Sequence, residues 1–313
     1  MSNKSFKDGL QFAWDNTSLT LAMECPRKYA FRMIQNLVPK GTSVHLLFGG
    51  LYATALEHYY KYIANGMSKE AALREIIREA LISTWAHSKD AMGQRIEGTG
   101  QPINFEHAAK TRPNLIRTLV WYIEEFGEET PDGIQTHHLQ DGAPAVELSF
   151  ALDFGDDLLY CGHLDRVVTY GGHLYWMDQK TTGRTITTKF FNDFKLAPQF
   201  SGYTWAGQTI LKSPVKGGIV DGAQIAVGFS RFERGFSPRS ASQLNEWYDY
   251  AHQWIALIRR MTYENNFPMN YSSCGNYGGC PYRLLCECSP QVRETYLQSH
   301  YAEVSAWDPL EVR

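Results

Sequence analysis

From residue 145 onward the hydrophobic period of this chain changes from that of helices to two, and this change constrains the fold more than any other feature. The runs AVELSFAL, LLYCGHLDRVV and GGHLYWMDQKT alternate apolar with polar residues, as half-buried strands do. Between the second and third, Gly171 and Gly172 suit a two-residue hairpin turn, whose central positions both need positive φ. Three consecutive strands joined by tight turns follow, an antiparallel meander.

Helical patterning lies on both sides of it. Ser18 reads as the N-cap of a short helix carrying Cys25, residues 48–64 as a second helix, and a third opens at Ser68 with Glu70 in its first turn. The stretch 88–105 reads as a loop, and 108–126 as a helix with Pro113 placing a boundary or kink inside it. Beyond the meander, FKLAPQFSGYTWAGQTIL is helical from near Pro198, GAQIAVGFSRF is a further strand, and SASQLNEWYDYAHQWIALIRRMTYEN is a long helix before a Cys-rich tail. This order predicts an α/β (α+β) fold with one central mixed β-sheet flanked by helices. The expected organisation is a single domain over 1–313: a mainly helical part at 1–130, a core at 145–235, and a C-terminal helix with the Cys-rich segment at 240–313.

Composition narrows the function classes. At 43% hydrophobic and 20% charged residues the chain can bury a sizeable core. It has no run near the roughly 18 apolar residues of a membrane span, and its start lacks a basic region followed by an apolar one, so a soluble cytoplasmic protein with no membrane partner is expected. Thirty basic against 33 acidic residues give −3, which excludes a polybasic coat and confines any DNA contact to local patches. Basic residues gather at Arg27, Lys28 and Arg32, at Arg184, Lys189 and Lys195, and at Arg231, Arg234 and Arg239, where solvated surface is the ordinary reading.

Two strand positions resist that ordinary reading. Residues i and i+2 share a strand face, so His163 projects with Asp165, and Asp178 with Lys180; the hairpin makes the two strands neighbours. Two carboxylates at close range repel unless a cation lies between them, and hard oxygen ligands suit Mg2+ or Mn2+. A lysine beside them can orient or deprotonate an attacking water, or stabilise phosphate charge. Asp-x-Lys alone is common in proteins, as an ordinary surface ion pair.

Context adds to it. GHLDRV, MDQKTT and QFSGY, in that order and with those gaps, resemble the G-x-x-D, D-x-K and Q-x-x-x-Y motifs of the PD-(D/E)XK nuclease superfamily, in its RecB-like branch, over roughly residues 18 to 290. The resemblance implies a restriction-endonuclease-like core in which Asp165, Asp178 and the Gln179 backbone carbonyl bind the metal and Lys180 is the catalytic lysine. Gln199 and Tyr203, on one helix face, would reach the DNA backbone or support Lys180. The branch also carries an early helical histidine, and the matching position here is Ala53. His58 points some 140° away from it at roughly 100° per residue, so Glu57, or His163 beside Asp165, is the candidate for the vacant corner. Glu147 on the preceding strand ranks behind them.

Six cysteines stand at 25, 161, 274, 280, 286 and 288, four of them within fifteen residues. Without an export signal such clustering points to metal ligation rather than disulfides, and Gly275, Gly278 and Gly279 suit tight wrapping of a metal centre. A [4Fe-4S] cluster, Zn2+ and plain reduced thiols all remain open on the residues alone. ECPRKY and CPYRLLC are similar to segments of iron–sulfur nucleases of the RecB-like branch, CRISPR-associated and phage exonucleases among them, where one cysteine comes from the N-terminal part and three from the C-terminal part. That resemblance implies Cys25, Cys274, Cys280 and Cys286 as ligands, with Cys288 as an alternative because the Cys274–Cys280 interval is long. Cys161 reads as a buried apolar residue.

The function implied is a metal-dependent DNA exonuclease acting on single strands or DNA ends, in phage-type recombination or DNA processing, beside a single-strand-binding or annealing protein. Aromatic residues at 13% could supply stacking platforms for bases. A catalytically inactive, end-protecting DNA-binding module and a redox-sensing interaction protein are the alternatives. Toroidal homo-oligomers occur in the superfamily, although no stretch here announces an interface.

Overall fold

The structure is a computed structural model describing residues 4–41, 43–86, 100–276 and 279–311. Among these residues a seven-stranded mixed sheet forms the centre. Its strands are β3 (Ala13–Trp14), β7 (Gln135–Thr136), β8 (Val146–Asp153), β9 (Leu159–Tyr170), β10 (His173–Thr182), β11 (Val215–Ile225) and β12 (Ser230–Pro238). The order runs β12–β11–β10–β9–β3, and β7 and β8 also pair with β9. β10 and β11 are parallel, as are β3 and β9, and the other pairs are antiparallel. Three small ribbons complete the strands: β1 (Phe6–Lys7) with β2 (Leu10–Gln11), β5 (Trp85–Ala86) with β6 (Gln101–Pro102), and β4 (Leu37–Pro39) with β13 (Tyr301–Glu303).

The meander is present as expected. β9 turns into β10 through Gly171 and Gly172, with φ of 55° and 75°, so Tyr170 faces His173 in a two-residue hairpin. Two hydrophobic clusters hold helices against the sheet. In one, Trp14, Leu164, Trp176 and Val220 meet Phe200 and Ala206 of α7 (Pro198–Leu211) and Trp247 and Ile255 of α8 (Ala241–Tyr263). In the other, Val146, Ala223 and Phe232 meet α3 (Val44–Ala64), α4 (Lys69–Ser83) and α5 (Arg112–Phe126). Each such large side chain taken fully out of water stabilises the fold by roughly 1.5–3 kcal/mol. The central mixed sheet flanked by helices therefore stands. No described helix is long and apolar enough to cross a membrane.

Three local expectations need correction. α1 (Asn16–Glu24) begins one turn before Ser18: Asp15 is the N-cap, its Oδ1 accepting the Ser18 amide at 2.9 Å, while the Asp15 amide donates to Ser18 Oγ at 3.1 Å. Both residue types cap helices, and the end of β3 at Trp14 decides which one does. GAQIAVGFSRF is not one strand, because Ala226 N–H donates to the Phe229 carbonyl at 3.0 Å and turns β11 back into β12. The loop read at 88–105 lies mostly outside the described residues, and its described end forms β6. Pro113 sits in the first turn of α5, a position where no helical amide bond is lost.

Candidate active site

β9 pairs with β10 from Tyr170–His173 to Arg166–Met177, and there the pairing stops. Beyond that rung β9 continues on its other edge with β8, and β10 continues with β11. The two strands thus fork, and the first residues inside the fork are Asp165 and Asp178. Gln179 N–H, released from the β9 ladder, donates instead to Asp165 Oδ2 at 3.4 Å. A residue in a strand points its N–H and C=O to the same edge, so the Gln179 carbonyl also faces the fork.

Charge concentrates at this point. Lys180 Nζ lies 2.6 Å from Asp178 Oδ2, an ion-pair distance, although the approach is not that of a directed hydrogen bond and the buried oxygen keeps no such partner among the described residues. The Asp178 side chain is 6% exposed and that of Lys180 31%, so the ammonium looks outward over a buried carboxylate. Burial, and then the Asp178 charge, push the Asp165 carboxyl well above the usual range, against the pull of Lys180, and Glu147 adds to the push. For Lys180 the burial that would depress its pKa is outweighed by Asp178 and Asp165, and the amine stays protonated.

α7 closes one side. Tyr203 packs edge-on against Phe150 and Trp176, with ring centroids 5.9 and 5.3 Å away. Burial, then the Asp165 charge, raise its phenol far above the ordinary value, while a hydrogen bond with Gln199 pulls the other way. The ring can sit there because residue 162 is glycine: a Cβ would stand 2.9 Å from Phe150 Cζ and 3.3 Å from Tyr203 Cε1. The glycine, tyrosine and glutamine of the three motifs therefore belong to one packing arrangement around the acid pair.

A family model described as the PD-(D/E)XK nuclease superfamily matches residues 15–287, most of the chain. The chain belongs to the PD-(D/E)XK nuclease superfamily. No curated protein matches the sequence. Membership supports a hydrolytic nuclease, an enzyme class that binds nucleic acid, and PD-(D/E)XK nucleases generally use Mg2+ or Mn2+. The mixed sheet agrees with a restriction-endonuclease-like core.

Which residues of this PD-(D/E)XK chain could hold a cation follows from the donors. Asp165 and Asp178 offer carboxylate oxygens, one of them the buried Asp178 Oδ2, and the Gln179 carbonyl faces them; this oxygen set fits a hard divalent ion. No three His, Cys, Asp or Glu side chains among the described residues stand close enough together to enclose a metal. Glu147 has a positive φ of 50° and falls opposite Asp165, between the rungs Val146–Arg166 and Leu148–Leu164. Backbone strain of this kind collects at functional sites. Glu57 is held by Lys61 at 2.6 Å, and His58 Nδ1 by Glu79 at 2.6 Å. His163 Nε2 lies 2.8 Å from the Glu311 carbonyl. α3 does approach the site, since a Cβ on Gly49 would come within 3.3 Å of Thr181 Oγ1.

The cysteines divide as their surroundings dictate. Cys161 is fully buried on β9, its thiol pushed up to about 12 by burial and then by Asp15 and Asp308. Burial raises the Cys280 and Cys286 thiols, with Lys28 opposing at Cys280 and Arg27 at Cys286. The Cys280 amide donates to the Cys274 carbonyl at 2.8 Å, but among the described residues the cysteine side chains do not close into a group that encloses a metal. Asn270 N–H donates to Cys25 Sγ at 3.3 Å. Cys288 instead approaches the Leu285 carbonyl at 3.5 Å. Gly279 has the expected positive φ of 116°, and Gly278 lies outside the described residues.

In the third basic cluster Arg231 is exposed, as the solvated reading expects, but the other two members are not solvated surface. Arg234 is bound to Asp221 at 3.2 Å and to Tyr122, and Arg239 is buried against Ser201 Oγ at 3.0 Å. Conversely, sequence reasoning missed a groove of about 1040 Å³ that reaches Asp165, His163 and Tyr203 and is walled by residues 304–311. The signal available was Trp307, the one aromatic residue of the segment 304–311.

Proposed function

We propose that this superfamily member is a Mg2+- or Mn2+-dependent DNA exonuclease acting on single strands or DNA ends, in recombination or DNA processing. The observation that carries the reading is the meeting of Asp165, Asp178 and Lys180 at the strand fork, with Lys180 Nζ 2.6 Å from Asp178. Asp165, Asp178 and the Gln179 carbonyl would hold the cation, with His163, Glu57 or Glu147 as the further donor in place of the histidine that Ala53 replaces. When bound, such a cation polarises the phosphodiester and acidifies water.

The protein's own groups do the rest. Lys180 presents its ammonium beside the carboxylates, where it orients water and neutralises charge gathering on the phosphate. Tyr203 keeps its phenol proton and, with Gln199, steadies the Lys180 side of the site or the DNA backbone. The packed Gly162–Phe150–Tyr203 contact keeps water access to one side. Cys25, Cys274, Cys280 and Cys286 would hold a [4Fe-4S] cluster, or Zn2+, that clamps the N- and C-terminal parts of the domain and takes no part in hydrolysis; the resemblance of ECPRKY and CPYRLLC to iron–sulfur nucleases supports this.

Ala53 supports a second reading, an end-binding module without catalysis, because an alanine supplies no donor at that corner. End-labelled single- and double-stranded DNA incubated with Mg2+ or Mn2+ separates the two. Cleavage by the wild type and its loss in Lys180→Ala support the nuclease; metal-independent or absent cleavage with retained binding supports the module.

A further inference from the structure

The groove beside Asp165 has a wall that the superfamily match does not include. That match ends at residue 287, whereas the wall is the segment 304–311, delivered by the β4–β13 ribbon. The segment is tied down along its length. Trp307 Nε1 donates to Asp15 Oδ2 at 3.1 Å, the Trp307 carbonyl accepts from Ser5 Oγ at 3.3 Å, and Asp308 pairs with Lys4 at 3.3 Å. Opposite it stands Arg32, its guanidinium carbon 5.7 Å from the centre of the Trp307 ring.

Arg32 is unlike the other cationic side chain of this groove, Lys4, which is taken by Asp308. Arg32 has no ion-pair partner among the described residues, and its Nη1 is buried without a hydrogen-bond acceptor there. A buried guanidinium nitrogen left without an acceptor is costly, and planar guanidinium is the group best matched to a phosphate. The residue sits in a π-helical turn, Ala30–Ile34, a distortion frequent at functional sites.

Resting on the nuclease reading above, we infer that Arg32 and Trp307 form a strand-binding subsite. Arg32 clamps a backbone phosphate one or more nucleotides from the bond at Asp165, and Trp307 offers its ring to the adjoining base. The wall makes the substrate a single strand. About 1040 Å³ exceeds the roughly 300–1,000 Å³ of small-molecule pockets, and this space holds a few nucleotides of one strand but not a duplex. Stacking on an aromatic ring next to a cation is how sequence-tolerant single-strand sites are built.

The test measures binding of a labelled oligothymidylate by fluorescence anisotropy across a salt series, with Lys180→Ala as the uncleaving background. Arg32→Gln should weaken binding about tenfold and reduce the slope of log K against log salt by about 0.7, the value for one phosphate on a single strand. Arg32→Lys should retain the slope, and Trp307→Ala should weaken binding with the slope unchanged. In the cleaving protein Arg32→Gln should raise KM and leave kcat near wild type. A blunt duplex should bind more weakly than the single strand and respond little to Arg32→Gln. Unchanged slope and affinity in Arg32→Gln, with Lys180-dependent cleavage intact, would overturn the subsite alone. An equal loss on duplex and single strand would overturn the single-strand assignment, and absence of any DNA binding by the wild type would remove the nuclease reading along with it.

Discussion

Gln179 donates its backbone N–H to Asp165 Oδ2 at 3.4 Å, just past Met177–Arg166, the last rung joining the two strands that carry them. The fork makes a gap lined by carboxylates, and without a cation those carboxylates oppose one another.

Replacing Asp165 by Asn should therefore raise stability in EDTA while abolishing cleavage. The folded-state pKa of Asp165 is raised above the unfolded value near 3.9. The wild type accordingly loses stability as pH rises above about 4 toward the folded-state value. The melting-temperature advantage of Asp165→Asn should be absent near pH 4 and present at pH 7. Added Mg2+ should stabilise the wild type and leave the variant unmoved; an equal response in both would sink the ligand assignment.

Lys180→Met should act with the opposite sign. The raised pKa of Lys180 means that its contribution is complete below the unfolded value near 10.4 and fades only as pH climbs through the folded one. At pH 7 in EDTA the variant should melt below wild type, since two acids lose their counter-charge, and Mg2+ should narrow the difference. Cleavage should fall by about 10²–10³. Retained activity would remove Lys180 from the chemistry.

Gly162→Ala should cost about 1–3 kcal/mol by overpacking, because the new Cβ meets Phe150 Cζ at 2.9 Å. Urea midpoints measure the loss. Activity should drop further than stability alone explains, as Tyr203 moves off its seat beside the acids.

Arg234→Met should destabilise by about 3–5 kcal/mol by leaving Asp221 buried without its partner. DNA affinity of the folded fraction should not change. A selective loss of DNA binding at full stability would return Arg234 to the nucleic-acid surface.

Cys25→Ser should lose the iron, sulfide and brown colour of anaerobically purified protein, and Cys288→Ser should keep them. Zinc in place of iron in the metal analysis would decide for the other centre.

Strand period and the Gly-Gly turn made the meander readable, and with it the shared face of Asp178 and Lys180. Where the β9–β10 pairing ends was not readable, because β8 and β11 compete for those strands through tertiary contacts that no local pattern encodes. Ser18 reads as the cap where Asp15 occupies the position, since both types satisfy the same amides and only β3 decides between them. The turn at 226–229 is hidden in the sequence because AVGF carries a single turn-former in an apolar run. Arg234 reads as surface for the same reason: its partner Asp221 faces it only once that turn pairs β11 with β12, and the Phe126 ring beneath it, 3.7 Å from the guanidinium, comes from a distant helix.

Separation along the chain sets an order of assembly. Asp165 and Asp178 are joined by one short hairpin, whereas Cys25 lies far along the chain from residues 274 to 286, and Asp165 far from the wall at 304–311. Loop-closure entropy is small for the first and larger for the others. The acid pair can thus form by local strand pairing while its groove still lies open on one side, and the enclosing edge arrives only with the long-range contacts of 304–311.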